Sequence, residues 1–387
     1  MTLTFHERAL LPLVGLQGAI GSLAGFIGFF IVDRHDLHAL FRYTAGMLTV
    51  AMASTFIAYL AGPRLHLSGR RLFRLGFLVP GVLLVAGRGS VGTMAVAYGA
   101  FTGLTWGARH SLEMSLLRDE ERDSYASHSV TAAVALGVAA TFVSTLVLAG
   151  FAEQSRTLYR LYGVACIAGA LLLGKAIPET EPVSLKNPLA VIRQPQFIAC
   201  LPLFFLESGL FGVTQAMASA GAANALSSAS RFGWVATVAG LVGGVALYFT
   251  RQSRDVQNRV PWLGASCLVV ALSFVLLGAS AWVPVLYIAY SVLKAAGQPF
   301  LSASEQVLNQ RTLDIEGALS DRIFAREFVL WALRMASLGL FWGLAMLLAP
   351  LQLLVVGSTL LAAAAGMEYV IGKTLFWNGN GVAEQAA

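Results

Sequence analysis

The chain has 387 residues, 57% hydrophobic and only 12% charged, with a mean hydropathy of +0.71. Soluble globular chains carry about 25% charged and about 45–50% apolar residues, so the composition argues against a water-soluble enzyme. At ~20 residues per transmembrane helix, the length holds roughly twelve spans and leaves almost nothing for a soluble domain.

Apolar segments fall at about 9–32, 43–62, 72–87, 91–108, 129–151, 158–177, 197–219, 232–250, 260–280, 283–301, 324–348 and 350–371. The first is too long for a signal-peptide core and is read as a span. Between the sixth and seventh, four prolines (Pro178, Pro182, Pro188 and Pro195) interrupt a polar stretch and mark a linker. The expected organisation is a six-helix bundle over 1–177, a cytoplasmic linker over 178–196, a second bundle over 197–373 and a cytoplasmic tail over 374–387. The net charge of +6 sits in short runs between apolar segments. Such runs fit a membrane surface and form no nucleic-acid-binding domain. Cys166, Cys200 and Cys267 lie in or beside apolar stretches at no metal or disulfide spacing and are read as core residues.

Lys and Arg collect in alternate loops, among them Arg64, Arg70, Arg71, Arg74, Arg118, Arg122 and Arg311. That bias puts both termini in the cytoplasm and requires an even number of spans. A shift of 192 residues lays Tyr98, Thr102, Glu113 and Leu116 onto Tyr290, Lys294, Glu305 and Leu308. The following loops align Tyr125-Ala126 with Phe324-Ala325. The repeat predicts two related six-helix units, a common plan among secondary transporters.

The loop after the second span reads Gly62-Pro-Arg-Leu-His-Leu-Ser-Gly69-Arg70-Arg71. It resembles the inner-loop signature of the major facilitator superfamily, Gly-x-Leu-x-Asp-Arg-x-Gly-Arg-Arg/Lys. Both glycines and both terminal basic residues are in place; Arg64, His66 and Leu67 depart. A second-half copy from Gly244 through Arg251 and Arg254 is weaker. The resemblance implies an all-α integral membrane protein, with twelve transmembrane helices in two pseudo-symmetric bundles. It also implies that this loop latches helix ends, with Gly62, Gly69, Arg70 and Arg71 as gating residues. The fourth span lacks the family's Arg-x-x-Gln-Gly element and the fifth lacks the Gly-Pro pair of drug/proton antiporters, which leaves the subfamily open.

Ionisable groups in mid-membrane are costly and mark pathways. Glu207, Lys294 and Arg334 each lie about ten residues into a span, roughly 15 Å deep at ~1.5 Å per residue. The first half has no charge at that depth, since Arg109 and Glu113 are placed at the inner end of the fourth span. The three central groups sum to one surplus positive charge and lean towards an anionic solute. Tyr287, Ser291, Lys294 and Gln298 share a helix face, as do Ser208, Gly212, Gln215 and Ser219 in the seventh span and Tyr98, Thr102 and Thr105 in the fourth. In the superfamily the first, fourth, seventh and tenth spans line the central cavity. The resemblance therefore points Gln17, Tyr98, Thr102, Gln215, Tyr287, Lys294 and Gln298 at the solute, with Arg334 beside them. Glu207 is expected to couple transport to protons. The alternative is a Glu207–Lys294 or Glu207–Arg334 pair that only fixes helix packing.

Glu327, seven residues before Arg334 on one face, is a candidate to pair with Arg122 or Arg322 as a gate, with plain packing as the alternative reading. Gly18, Gly21, Gly25 and Gly28 form a small-residue stripe for close helix packing. Asp33, His35, Asp36 and His38 are read as a solvated loop, so no metal and no cofactor is implied. The leading reading is a secondary active transporter, monomeric in the lipid bilayer of the inner membrane, with a small organic solute and protons as partners. No Gly-x-x-x-x-Gly-Lys-Ser/Thr loop supplies ATP chemistry. A flippase for lipids or lipid-linked molecules and a non-transporting receptor are the alternatives.

Overall fold

Short polar residues open the first four helices. Thr4 and Glu7 cap each other reciprocally, Asp36 Oδ1 accepts the Ala39 N–H at 2.6 Å, and Ser68 and Ser90 cap the third and fourth helices. These caps satisfy N–H groups that lipid cannot. The computed structural model describes residues 4–87, 89–118, 121–150, 154–250 and 259–384. Arg251 and Arg254 of the second-half loop, and the greater part of the tail expected beyond 374, carry no described side chains.

Among the described residues the chain forms twelve helical rods: α1 (Phe5–Arg34), α2 (Leu37–Leu65), α3 (Gly69–Ala86), α4 (Val91–Leu116), α5 (Arg122–Gly150), α6 (Gln154–Leu173), α7 (Leu201–Ala225), α8 (Ala229–Thr250), α9 (Arg259–Ala279), α10 (Leu286–Thr312), α11 (Leu319–Ala345) and α12 (Pro350–Glu384). Nine of these are long and apolar enough to cross a membrane, which makes this a multi-pass membrane protein. The other three, α3, α4 and α10, have 18, 26 and 27 residues. They are diluted by the arginines of α3 and by the polar faces of α4 and α10.

Three rods run beyond the apolar segments at the end that carries the termini. There α4 continues to Leu116, α10 continues to Thr312, and α11 starts at Leu319. The last helix also runs through 374 to Glu384, where a tail was expected. Polar residues continue a helix as readily as apolar ones, so hydropathy alone ends these helices too early.

Within the first half, α4 packs on α2 and α3, α5 on α1, and α6 on α3; in the second, α9 packs on α10 and α12. The halves meet through α2 against α11 and α5 against α8, one contact repeated by the pseudo-two-fold, and through α1–α7 and α5–α10. The glycine stripe serves this packing: a Cβ on Gly18 would strike Ala133 of α5, and one on Gly28 would strike Ser219 of α7.

Candidate functional site

Two helices are broken where the halves face each other. In α1 the helix restarts at Ser22, whose Oγ donates to the Ala19 carbonyl at 2.7 Å. In α7 a widened π turn spans Phe205–Gly209. Such a turn frees backbone carbonyls and often sits at functional positions. Here α11 satisfies them: Arg334 Nε donates to the Ser208 carbonyl at 3.1 Å and Ser337 Oγ to the Gly209 carbonyl at 2.6 Å. The turn brings Glu207 and Ser208 to the wall of a cavity of about 640 Å³ between the halves.

The wall includes Gln17, Tyr98, Thr102, Glu207, Gln298, Glu327 and Arg334 from the sequence reading. Tyr98 donates to the Gly21 carbonyl at 3.1 Å and Thr102 to the Tyr98 carbonyl at 2.9 Å. Three expected residues lie elsewhere. Gln215 donates to the Ala24 carbonyl at 3.3 Å in the α1–α7 contact, and Tyr287 is buried against Gly221. The Lys294 Nζ donates to the Tyr290 hydroxyl at 3.2 Å and lies over the Phe274 and Tyr290 rings. The polar stripe of α10 runs the length of the helix, but α7 and α9 cover its first half.

The same cavity wall contains residues that the sequence reading placed outside the centre. Arg109, His110 and Glu113 of α4 line it, together with Glu305 and Asn309 of α10 and Arg326 of α11. Charge at the site is therefore shared by both halves, correcting the expectation that it belongs to the second alone. Three arginines face four glutamates across the wall: Arg109, Arg326 and Arg334 against Glu113, Glu207, Glu305 and Glu327. With Lys294 outside, the expected surplus positive charge is not there. The signal was present in the Arg109–Glu113 spacing of four, which on one helix is an ion pair.

Arg109, Glu113, Glu207, Arg326 and Glu327 join in one network, in which Glu113 and Arg326 are buried. Arg109 Nε lies 2.6 Å from Glu113 Oε1, which also accepts from the Tyr125 hydroxyl at 2.8 Å and from Gln306 Nε2 at 3.2 Å. Arg109 and Thr105 hold the amide of Gln17, at 3.3 and 3.2 Å. Within the second half, Arg326 Nη1 donates to Glu327 at 3.1 Å, Nη2 hydrogen-bonds Asn309 and lies 4.0 Å from Glu207 Oε1, and Asn309 in turn donates to Glu207. His110 Nε2 lies 3.4 Å from Arg326 Nη1 and 3.9 Å from Glu327, joining the halves. Glu207 therefore pairs with Arg326, in place of the expected Lys294 or Arg334. Arg334 Nη2 reaches the Ser208 hydroxyl, and its guanidinium lies over the Phe211 ring.

The gating expectations resolve differently. Glu327 meets His110 and Arg326, deep in the bundle, and pairs with neither Arg122 nor Arg322. Arg122, at the start of α5, instead bridges the halves to Asp314 at 2.7 and 3.2 Å, because the α10–α11 loop passes over it. Beside it Arg259 of α9 pairs with Asp123. Arg322 donates to the Leu313 and Ile315 carbonyls of its own loop.

The glycine-arginine loop clasps the linker. Leu67 and Val183 share a backbone hydrogen bond of 2.9 Å, Thr180 Oγ1 accepts the Gly69 N–H at 3.0 Å, and Gly62 packs on the Val183 carbonyl. Arg70 donates to the Gly174 carbonyl at 2.8 Å, and Arg70 and Arg71 approach Glu179 at 4.0 and 3.9 Å. His66, where the signature has Asp, caps α2 in the left-handed conformation at φ 50. On the other half Asp321, 3% exposed, accepts the N–H groups of Lys186 and Asn187 at 2.8 and 2.9 Å. The linker thus joins the two halves on the face that carries the termini.

On the opposite face, Phe232 stacks on Phe29 and meets Phe26 edge-on, and Phe41 stacks on Trp342. The halves therefore touch on both sides of the cavity. Asp36 spends its carboxylate as a helix cap, and among the described residues no group of three His, Cys, Asp or Glu is placed to hold a metal ion.

In sequence, the chain matches no protein-family model and no curated protein. In structure it is similar to a bacterial homologue of the iron transporter ferroportin in the outward-facing state. The TM-score is 0.59 at 16% identity, over 96% of this chain and 99% of that one. The same kind of protein with soaked iron gives a TM-score of 0.56 at 14% identity, over 95% and 98%. A POT family transporter in complex with a thioalcohol-conjugated peptide gives 0.62 at 11% identity, over 95% and 96%. Twelve rods in two pseudo-symmetric halves around a central polar cavity give this chain the fold of the major facilitator superfamily.

Proposed function

We propose that the chain is a secondary active transporter that moves a small organic solute through the central cavity by alternating access, driven by protons. The observation that carries this reading is the charged network in the cavity between the halves. Placing three arginines and four glutamates inside a membrane bundle is expensive, and a purely structural helix interface is built more cheaply from small and apolar residues. A site whose two walls must exchange contacts as the halves rock has a use for groups that re-pair.

Glu207 is the proposed proton carrier. It sits on the one π turn among the described residues, lines the cavity, and has an Oε2 with no hydrogen-bond partner among the described residues. A carboxylate balanced between burial and a nearby Arg326 changes its proton affinity when that arginine moves. Arg334, rather than Lys294, is the cation placed to meet an acidic group of the solute. The protein is proposed to sit in the cell membrane with both termini cytoplasmic, in keeping with the Lys and Arg bias.

The test is uptake by proteoliposomes containing the purified chain, with an imposed pH gradient and a panel of labelled solutes. Gradient-driven accumulation is expected for the wild type. Glu207→Gln is expected to lose accumulation while keeping solute exchange without a gradient. Accumulation undiminished in Glu207→Gln overturns its role as carrier, and no flux of any solute overturns the transporter reading.

A further inference from the structure

The pseudo-repeat lays Glu113 of α4 on Glu305 of α10, and both line the cavity. Their surroundings differ. Glu113 is neutralised by Arg109 four residues earlier and held by the Tyr125 hydroxyl. At the repeat positions the second half has Leu301 and Phe324, which supply neither charge nor hydroxyl. The Ser302 hydroxyl, one turn earlier on α10, hydrogen-bonds Glu305, but among the described residues no cation lies within 4 Å of it. The nearest lysine on its own helix, Lys294, spends its amine on Tyr290.

Arg334 is the opposite case. Arg109 and Arg326 each lie within 4 Å of a carboxylate, whereas Arg334 has none at that distance among the described residues. Its Nε and Nη2 both donate to Ser208, to the carbonyl and to the hydroxyl, which leaves Nη1 for a ligand. The wall thus has one uncompensated carboxylate and one uncompensated guanidinium. Counting residues from helix ends on the same face, Arg334 is fifteen residues into α11 and Glu305 seven from the end of α10. At ~1.5 Å per residue the two differ in depth by roughly 12 Å. Phe211 and Trp331, also in the wall, offer an apolar surface near Arg334.

We infer that the solute is a zwitterion, with an acidic group held by Arg334, a protonated amine held by Glu305 and an apolar body between them. This rests on the reading of the cavity as the transport site and names its substrate class. An uncompensated buried charge gains most from an opposite partner, and a solute carrying one charge alone leaves the other group unpaired. Both interactions come from the second half, so that half holds the solute while the first half, whose Glu113 is already paired with Arg109, rocks against it.

The experiment measures binding to the purified full chain with three probes of equal length: 8-aminooctanoic acid, its methyl ester and its N-acetyl derivative. The zwitterion is expected to bind at least tenfold more tightly than either blocked form. Arg334→Gln is expected to abolish the preference over the ester, and Glu305→Gln the preference over the N-acetyl form. Arg334→Lys and Glu305→Asp serve as variants that keep the charge, and are expected to keep the order of preference. Equal or tighter binding of a blocked probe, no binding of any, or preferences unchanged in the Gln variants overturns the inference. Proteoliposome flux separates the two readings. Zwitterion binding without flux overturns transport alone, whereas flux restricted to solutes of one charge overturns the zwitterion alone.

Discussion

His110 of α4 and Arg326 of α11 meet across the two halves of the bundle, with His110 Nε2 3.4 Å from Arg326 Nη1. Both are buried, and the pair connects the Arg109–Glu113 side of the network to the Glu207–Glu327 side. His110→Ala is expected to lower stability by about 1–3 kcal/mol, since it removes a buried partner of Arg326 Nη1 and leaves that donor to Glu327 alone. The measurement is thermal unfolding in detergent beside initial uptake rate. An unchanged melting temperature and rate would reduce His110 to a space-filling residue.

Arg326, with a side chain only 4% exposed, lies between Glu207 and Glu327. Arg326→Leu alone leaves buried carboxylates unpaired and is expected to cost about 3–5 kcal/mol. The Arg326→Leu, Glu207→Gln double variant is expected to recover part of that loss, because the stranded charge goes with its partner. A double-mutant cycle by thermal unfolding reads the coupling. Strict additivity of the two losses would mean that Arg326 does not compensate Glu207.

Asp321 holds the linker by two backbone N–H groups, and each charge-assisted bond contributes about 1.5–3 kcal/mol. Asp321→Ala is expected to speed limited proteolysis between residues 178 and 196, with Asp321→Asn intermediate because the amide keeps one acceptor. Fragment masses locate the cut. Protection equal to wild type would show that the first half's grip on the linker suffices alone.

Gly62 touches the Val183 carbonyl so closely that any Cβ would displace it, whereas a Cβ at Gly92 of α4 meets nothing within 4 Å. Gly62→Ala is expected to loosen the linker and raise its proteolysis. Gly92→Ala is expected to be neutral or to stabilise by up to about 1 kcal/mol through helix propensity. Equal effects of the two substitutions would remove the steric argument for Gly62.

The helices were legible because a membrane imposes one simple rule on every span. Where a helix is mostly apolar, as in α5 and α9, hydropathy marks it. The rule weakens for α4, α10 and α11, whose polar ends carry Arg109, His110, Glu113, Glu305, Asn309 and Arg326. Arg109, His110, Glu113, Glu305 and Asn309 lie outside the apolar windows and Arg326 at the edge of one, so hydropathy did not place them at the centre, although all six line the cavity. Lys294 shows the converse. Its place in mid-span marked it as a site residue, but depth does not say which side of a helix faces the cavity, and α9 covers it.

Composition and periodicity by themselves determined the solvent, the number of rods and the repeat. All of these follow from local chemistry along one chain: the cost of unsatisfied backbone in lipid and the spacing of apolar residues. Which charges meet was decided only by the tertiary structure. Arg326 lies 119 positions from Glu207 and His110 lies 216 from Arg326, and no one-dimensional pattern states whether two helices turn those faces towards each other. That choice belongs to the packing of α4, α7, α10 and α11 around one cavity, and it turned a few scattered charges into a paired network with one carboxylate and one guanidinium left over.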